Sequence, residues 1–374
     1  MRKTQELSVD WKTILKDTPK LDGESQAQWL RRIAGDDYKK YRTSFFRHKS
    51  KFTGHKALEE EAEKIGIPVE SIGHYWHKGK HFSIFSKNNV KTYFEIRDEI
   101  VESMKDHAPS YTVPISSQNT NPHLLVIDPA DIHIGKLARE IESGDEYNSQ
   151  IAVKRILEGV SGLLNKATGF NIDSILLIIG NDILHTDTPG RTTTSGTRQD
   201  TDGMWYDNFL IAKDVYIKVI ESLMYICPVH VQYDPSNHDY TNGFFLADSI
   251  SSWFSKVDQV TFNITPAHRK YFKYGTSLIG TTHGDGAKEV DLPILMASEA
   301  SDWWHECKHR YWYTHHLHHK RSREIVGVTI ETLRSASGTD SWHHRNGYQH
   351  NTKAVEGFIH HPNHGQIARL THIF

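Results

Sequence analysis

The chain has 374 residues, 37% of them hydrophobic, with 44 Lys/Arg against 46 Asp/Glu and 26 His. This length predicts two domains more readily than one, and the near balance of charge gives no global sign of a polyanion partner. Only two cysteines occur, Cys227 and Cys307, which excludes a disulfide framework and argues against a Cys-based zinc site; they read as buried or incidental thiols.

The charge is unevenly placed. Residues 1–118 hold 21 Lys/Arg and 17 Asp/Glu, and the remainder holds 23 and 29. A mildly basic front on an acidic, His-rich body suggests two jobs. No run approaches the ~18 apolar residues of a membrane span. The opening Met1-Arg-Lys-Thr-Gln-Glu lacks the apolar stretch of a signal peptide. A soluble, intracellular protein with no membrane partner is expected.

Residues 1–22 read as irregular or weakly helical. Helical patterning follows over 26–33 and 38–48. Residues 56–65 (KALEEEAEKI) form a polar-faced helix closed by Gly66. Pro68-Val-Glu-Ser then opens a second helix running through Tyr75-Trp76-His77-Lys78. This outline predicts a helix-turn-helix. In it Phe45, Phe46, Tyr75 and Trp76 would form core or stack on bases, while Lys39, Lys40, Arg42, Arg47, Lys78 and Lys80 would contact phosphates. A protein-interaction or dimerisation module is the alternative, and a homodimer is left open. Residues 91–107 are a further helix, and 108–121, with Pro109 and Pro114, are a linker.

From 123 onward strands and helices alternate. Strands are expected at 124–127, 174–179, 229–233, 277–281 and 311–314. Helices are expected at 151–164, 209–224, 246–254 and 298–307, and the tail from 325 looks like antiparallel β. The alternation predicts a layered α/β core. The domain reading is 1–118, helical with a linker, and 119–374, catalytic.

Clusters of metal-ligand residue types fall at the ends of the apolar runs. In order they are Asp131-Ile-His133, Asn181-Asp182, Asn237-His238-Asp239, His283-Gly284 and His316-Leu317-His318. Asp131 and His133, two apart on a strand, would share one face. Any one cluster is weak. Five in series at the C-terminal edges of strands are what an open α/β sheet uses to build a site. Imidazoles and carboxylates suit Mn²⁺, Fe or Zn²⁺ better than Ca²⁺.

The series resembles the calcineurin-type metallophosphoesterases, whose motifs are D-x-H, G-D, G-N-H-D/E, a lone H and G-H-x-H. The match covers about 119–374, and it is similar to a phage-associated branch related to SbcD-type DNA-repair nucleases. The resemblance implies a four-layer α-β-β-α sandwich and two divalent metals, Mn²⁺ first, with Fe, Zn²⁺ or Mg²⁺ as alternatives. It implies that Asp131, His133 and His318 hold one metal, that Asn237, His283 and His316 hold the other, and that Asp182 bridges them. His238 would stabilise the transition state or protonate the leaving oxygen, with Asp239 orienting its ring. The implied activity is phosphodiester hydrolysis by an exonuclease-like DNA nuclease in the cytoplasm of a bacterium, or of the host if phage-encoded. Small nucleotides, cyclic nucleotides or phosphoproteins are alternative substrates, and a DNA-binding protein with a relict site is a third reading.

Three positions depart from the pattern: Ser236 and His315 stand where the family has glycine, and Asn181 separates Gly180 from Asp182. Ser236 is expected to strain its turn. Around the site, the polar loop 186–203 offers Arg191 and Arg198 as phosphate contacts or is simply solvated. Asp285 would orient a ligating histidine or lie at the surface. Trp303, Trp304, His305 and His309 read as core packing. The segment Asp340-Ser-Trp-His-His344 would line the cleft, or leave His343 and His344 at the surface.

Overall fold

The computed structural model describes residues 11–35, 41, 45, 74–78, 83–87, 98, 102, 108–111 and 121–374. The chain divides into two compact units, Met1–Arg97 and Asp98–Phe374.

In the first unit, helix α1 spans Trp11–Asp17 and α2 spans Gln26–Ala34. Ser25 and Gln28 form a capping box: the Gln28 N–H donates to Ser25 Oγ and the Ser25 N–H to Gln28 Oε1. This satisfies donors that the first helical turn would otherwise leave orphaned. Leu15, Trp29, Leu30 and Phe45 make a small core, with Trp29 edge-on to Phe45 at 5.3 Å. Phe45 is therefore a core residue and cannot stack on a base. Tyr41, Phe45, Asp98 and Glu102 are helical, as expected for 38–48 and 91–107.

The second half of the helix-turn-helix outline is corrected. His74–Lys78 is strand β1, paired antiparallel with β2, Ser83–Lys87, in the register His74 to Lys87 through Lys78 to Ser83. Tyr, Trp, Phe and Ile favour extended backbone, and these short aromatic runs find a pairing partner that a lone turn of helix would lack. The predicted helix 56–65 lies outside the described residues, as do Lys39, Lys40, Arg42, Phe46, Arg47 and Lys80.

The second unit carries two mixed sheets and several helices. In chain order these are β3 (His123–Asp128), α3 (Glu140–Ser143), α4 (Ser149–Ala167), β4 (Ile172–Gly180), α5 (Trp205–Met224) and β5 (Val229–Asp234). Then come α6 (Tyr240–Trp253), β6 (Val260–Asn263), β7 (Lys270–Tyr274), β8 (Ser277–Thr282), α7 (Leu292–Glu299), α8 (Ser301–Glu306) and β9 (His309–Thr314). The chain ends with β10 (Arg321–Ile325), β11 (Val328–Thr332), α9 (Ser341–Arg345), β12 (Ala354–His361) and β13 (Gly365–Ile373). The six-stranded sheet runs β13-β12-β3-β4-β5-β6 and the five-stranded sheet β10-β11-β9-β8-β7. Strands β3 to β6 are parallel, as are β8, β9 and β11. The tail is thus only partly antiparallel, because β11 joins β9 in parallel.

Strand alternation sorts side chains into layers. Leu125, Ile127, Ile175, Leu177 and Ile179 pack with α4, α5 and α6. Leu124, Val126, Leu176 and Ile178 point the other way and meet Ile279, Tyr313, Leu333 and Phe358. Tyr313 stacks on Phe358 at 4.1 Å and 14°. On the far face of the second sheet, Leu278, Trp312, Val328 and Ile330 pack against Leu292 and Met296 of α7. The order is helix, sheet, sheet, helix, as the α/β sandwich reading requires. Strands buried on both faces are continuous apolar runs, which is why β3 and β4 were legible. Tyr111, in the segment read as linker, stacks on Phe254 and donates to Glu221. Cys227 and Cys307 are buried and free, and among the described residues no helix is long and apolar enough to cross a membrane.

Gly180 ends β4 with φ of 95°, and a Cβ there would lie 2.0 Å from the Asp234 carbonyl oxygen of the adjacent strand. Gly180→Ala is expected to destabilise the unit by roughly 3 kcal/mol or more, from left-handed strain plus a backbone clash. A urea-unfolding midpoint equal to the parent's would contradict this.

Candidate metal centre

The site forms where the C-terminal ends of β3, β4, β5, β8 and β9 converge, drawing on both sheets. Asp131 and His133 do not sit on a strand, as their spacing suggested. They follow β3 in a turn with φ of 49° and 51°. Asn181, Asp182, His316 and His318 are left-handed as well, with φ of 52°, 60°, 67° and 55°. Such backbone is uncommon outside glycine, and Asn, Asp and His are among the residues that tolerate it best. The turn after β3 is held by the turn after β4: the N–H groups of Asp131, His133 and Ile134 donate to the carbonyls of Asn181, Asp182 and Ile183.

All seven predicted ligands meet here. Asp131, His133 and His318 form one group and Asp182, His283 and His316 another, each with ligand atoms within 4.8 Å of one another. Asp182 Oδ2 lies 3.8 Å from His133 Nε2 and 3.3 Å from His283 Nε2, so its carboxylate stands between the groups. Asn237 Oδ1 is 2.9 Å from His283 Nε2, and His318 Nε2 is 3.3 Å from Asp131 Oδ1.

The donor set fits divalent cations. Both carboxylate oxygens of Asp131 and the Nε2 of His133 are buried without a hydrogen-bond partner. An unsatisfied buried polar group costs about 1–3 kcal/mol, more when charged, and a cation would remove that cost. Burial lowers the pKa of His133, His316 and His318, keeping their lone pairs free. Burial also acts to lower His283, but the Asp182 carboxylate outweighs it and raises the group to about 9.

His238 lines the cleft beside these groups. Its backbone N–H donates to Asp182 Oδ1 at 3.0 Å, and its Nδ1 lies 2.9 Å from the His185 carbonyl. A carbonyl only accepts, so the hydrogen belongs on Nδ1 and Nε2 is left for chemistry. The expectation that Asp239 orients this ring is corrected. Asp239 is buried and accepts from the Ser236 hydroxyl (2.6 Å) and the Leu184 N–H (2.8 Å). Burial and the nearby Asp182 charge raise its pKa to about 7.

The departures have structural reasons. Ser236 causes no strain, since it is absent from the left-handed residues. Its hydroxyl accepts from the Asp182 N–H at 2.7 Å while donating to Asp239, which ties the β5 turn to the β4 turn. His315 is buried beneath the site, with Nε2 2.9 Å from Asp128 Oδ2 and Nδ1 3.0 Å from the Thr282 carbonyl. The ring thus spans Asp128 and the Thr282 carbonyl, linking the ends of β9 and β3. Burial alone would lower it; Asp128 raises it.

Sequence reasoning missed His185 and Lys136. The Nδ1 of His185 lies 3.3 Å from that of His133 and its ring stacks on His238 at 5.3 Å; its place three residues after Asp182 was the available signal. Lys136 is buried and paired with Asp340 at 2.8 Å. The loop 186–203 is fastened over the site: Asp187 accepts from the Thr241 and Asn242 N–H groups at the start of α6. A cleft of about 750 Å³ opens above the metal groups, lined by Arg198, Lys136, Asp340, Trp342 and His343 among others. Arg191 is not among its lining residues; its guanidinium lies against Met204 Sδ. Asp285, His344 and Trp303 are exposed, while Trp304 packs beside the α7 core.

No family model and no curated protein matches the chain. Solved structures similar to it include an archaeal phosphodiesterase, at 8% identity and TM-score 0.32 over 67% of this chain and 99% of that one. Another is wild-type Vps29 of Entamoeba histolytica complexed with zinc, at 12% identity and TM-score 0.28 over 67% and 98%. A third is a predicted phosphoesterase of Streptococcus pneumoniae TIGR4, at 12% and 0.26 over 67% and 97%. At these scores the likenesses carry no argument, and the chemistry is read from the side chains themselves.

His315→Ala is expected to cost about 3–5 kcal/mol in urea unfolding, because it leaves the Asp128 carboxylate buried and unpaired. A loss below about 1 kcal/mol would mean that the pair contributes little.

Proposed function

We propose that the chain is a dinuclear-metal phosphoesterase that hydrolyses phosphodiester bonds, with DNA as its substrate. The observation that carries the reading is the buried Asp182 carboxylate standing between two ligand groups, with His238 at their edge. Asp131, His133 and His318 would hold one ion, Asn237, His283 and His316 the other, and Asp182 both. When bound, the two ions supply Lewis acidity to a phosphoryl oxygen and acidify water. Mn²⁺ suits the mixed imidazole and carboxylate set, as do Fe and Zn²⁺, while Mg²⁺ would lean on the carboxylates.

The protein's own groups do the rest. His238, its Nδ1–H donating to the His185 carbonyl, presents Nε2 to the cleft; as the imidazolium, that second nitrogen would carry the proton passed to the leaving oxygen or shared with a phosphoryl oxygen. With His133 Nδ1 donating to His185 Nδ1, 3.3 Å away, the lone pair of His133 Nε2 would be left for an ion. Arg198, on the cleft wall, would contact phosphate. The choice of DNA is supported by the sequence resemblance to SbcD-type nucleases. Residues 1–118, proposed as a separate domain from 119–374, lend it less support once 74–78 proves to be a strand.

His238→Ala is expected to lower turnover of bis-nitrophenyl phosphate by about 10²–10⁴-fold while the Mn²⁺ content by elemental analysis stays at the parent's level. Normal turnover would refute the mechanism. Asp182→Asn is expected to weaken both ions together in equilibrium dialysis, and loss of one ion alone would sink the bridging role. In a Mn²⁺-supplemented panel of linear DNA, RNA, cyclic dinucleotides and a phosphomonoester, linear DNA is expected to be cleaved fastest.

A further inference from the structure

One wall of the cleft is built from residues that the metal chemistry does not use. Asp340 caps α9: its Oδ1 accepts the His343 N–H at 2.8 Å and lies 2.7 Å from His343 Nδ1. Its Oδ2 takes the ammonium of buried Lys136 at 2.8 Å. Five residues of helix are not stable alone, so this ion pair fixes where α9 points.

The result is a run of rings leading outward from the metal groups. His343 lies parallel to His318, 5.1 Å away at 10°. Trp342 meets His343 edge-on at 5.1 Å, and Tyr348 lies against Trp342 at 5.9 Å and 34°. Trp342 and Tyr348 both line the cleft, yet they are 61% and 54% exposed and belong to none of the buried clusters. Large aromatic faces left in water forgo about 25 cal/mol for each Å² they would bury. Here they sit at the mouth of a polar cleft, held by a buried ion pair.

We propose that Trp342 and Tyr348 form a stacking platform for a nucleobase flanking the phosphodiester that occupies the metal centre. The proposal rests on the phosphoesterase reading and narrows its substrate to nucleotides, away from phosphoproteins. Every nucleobase has a flat π-face, so such a platform tolerates any sequence. A base inside a duplex has both faces covered by its neighbours. The platform therefore selects single strands and frayed ends, where a base is free to turn out. Lys136 and Asp340 are positioning residues for it. The polar loop opposite, with Thr193, Ser195, Thr197 and Arg198, offers donors to the sugar-phosphate backbone.

The test is fluorescence anisotropy with the full chain in Mn²⁺, using a fluorescein-labelled phosphorothioate oligothymidylate that resists turnover and an abasic phosphorothioate strand of equal length. Trp342→Ala is expected to weaken oligothymidylate binding by on the order of tenfold and to leave abasic binding unchanged, with Tyr348→Ala losing less. Trp342→Phe, which keeps a flat face, is expected to restore most of the affinity. Equal oligothymidylate affinity in Trp342→Ala and the parent would overturn the platform. So would an equal loss on both strands, or a parent that binds no oligothymidylate. Failure of the phosphoesterase reading would look different: no hydrolysis of bis-nitrophenyl phosphate with Mn²⁺, with the stacking difference intact.

Discussion

The Asp182 carboxylate organises the second unit. Its backbone N–H donates to Ser236, its carbonyl accepts from His133, one carboxylate oxygen accepts the His238 N–H, and the other faces His133 and His283. Those partners come from the ends of β3, β5 and β8, so two sheets are held in register around one side chain. A buried carboxylate is costly unless charge or hydrogen bonds meet it. Here nearly every neighbour does so, and their joint pull holds its pKa far below the ordinary carboxylate range despite complete burial.

Bringing the ligands together imposes backbone strain. Six residues of the site are left-handed without being glycine, each a conformation that costs on the order of 1 kcal/mol or more. The strain persists because the surroundings over-determine it. The turns after β3 and β4 are hydrogen-bonded to each other, the Ser236 hydroxyl joins the β5 turn to them, and the Asp128–His315 pair pins β9 from below. Farther in, Gln232 donates to Thr281 and Thr281 to Asp234, a polar bridge between the sheets. These groups sit next to the apolar layer of Leu124, Val126, Ile279, Tyr313 and Phe358, so the site rests on a packed floor. Rigid support of this kind is what fixed ligand geometry requires.

The cleft above is made differently. Its walls are a loop and a short helix, the loop tied down by Asp187 and by backbone bonds to Gly135, Leu137 and Asn237, the helix by the Lys136–Asp340 pair. The candidate ligands sit on strand ends and the turns that follow them, while the cleft walls sit on connecting segments, where binding surfaces are commonly found.

Much of this was legible in the residues alone. Apolar runs such as 124–127 and 174–179 need two covered faces, so they announced a layered α/β core. The pairs Asp131/His133 and His316/His318, with Asp182, Asn237 and His283, announced a metal centre, because ligand chemistry restricts residue type. Local sequence misled where partners are distant. HYWHK reads as helix until β2 is there to pair with it, and Asp239 looks like a histidine orienter until Ser236 and Leu184 claim its oxygens. His185, Lys136 and the Trp342–Tyr348 pair carry no motif, since their importance lies in what they touch. Sequence by itself determined the layers and the candidate ligand set, both dictated by residue chemistry. Tertiary structure alone decided how two sheets share Asp182, what holds the ring of His238, and which side chains face the cleft, because those depend on contacts between residues far apart in the chain.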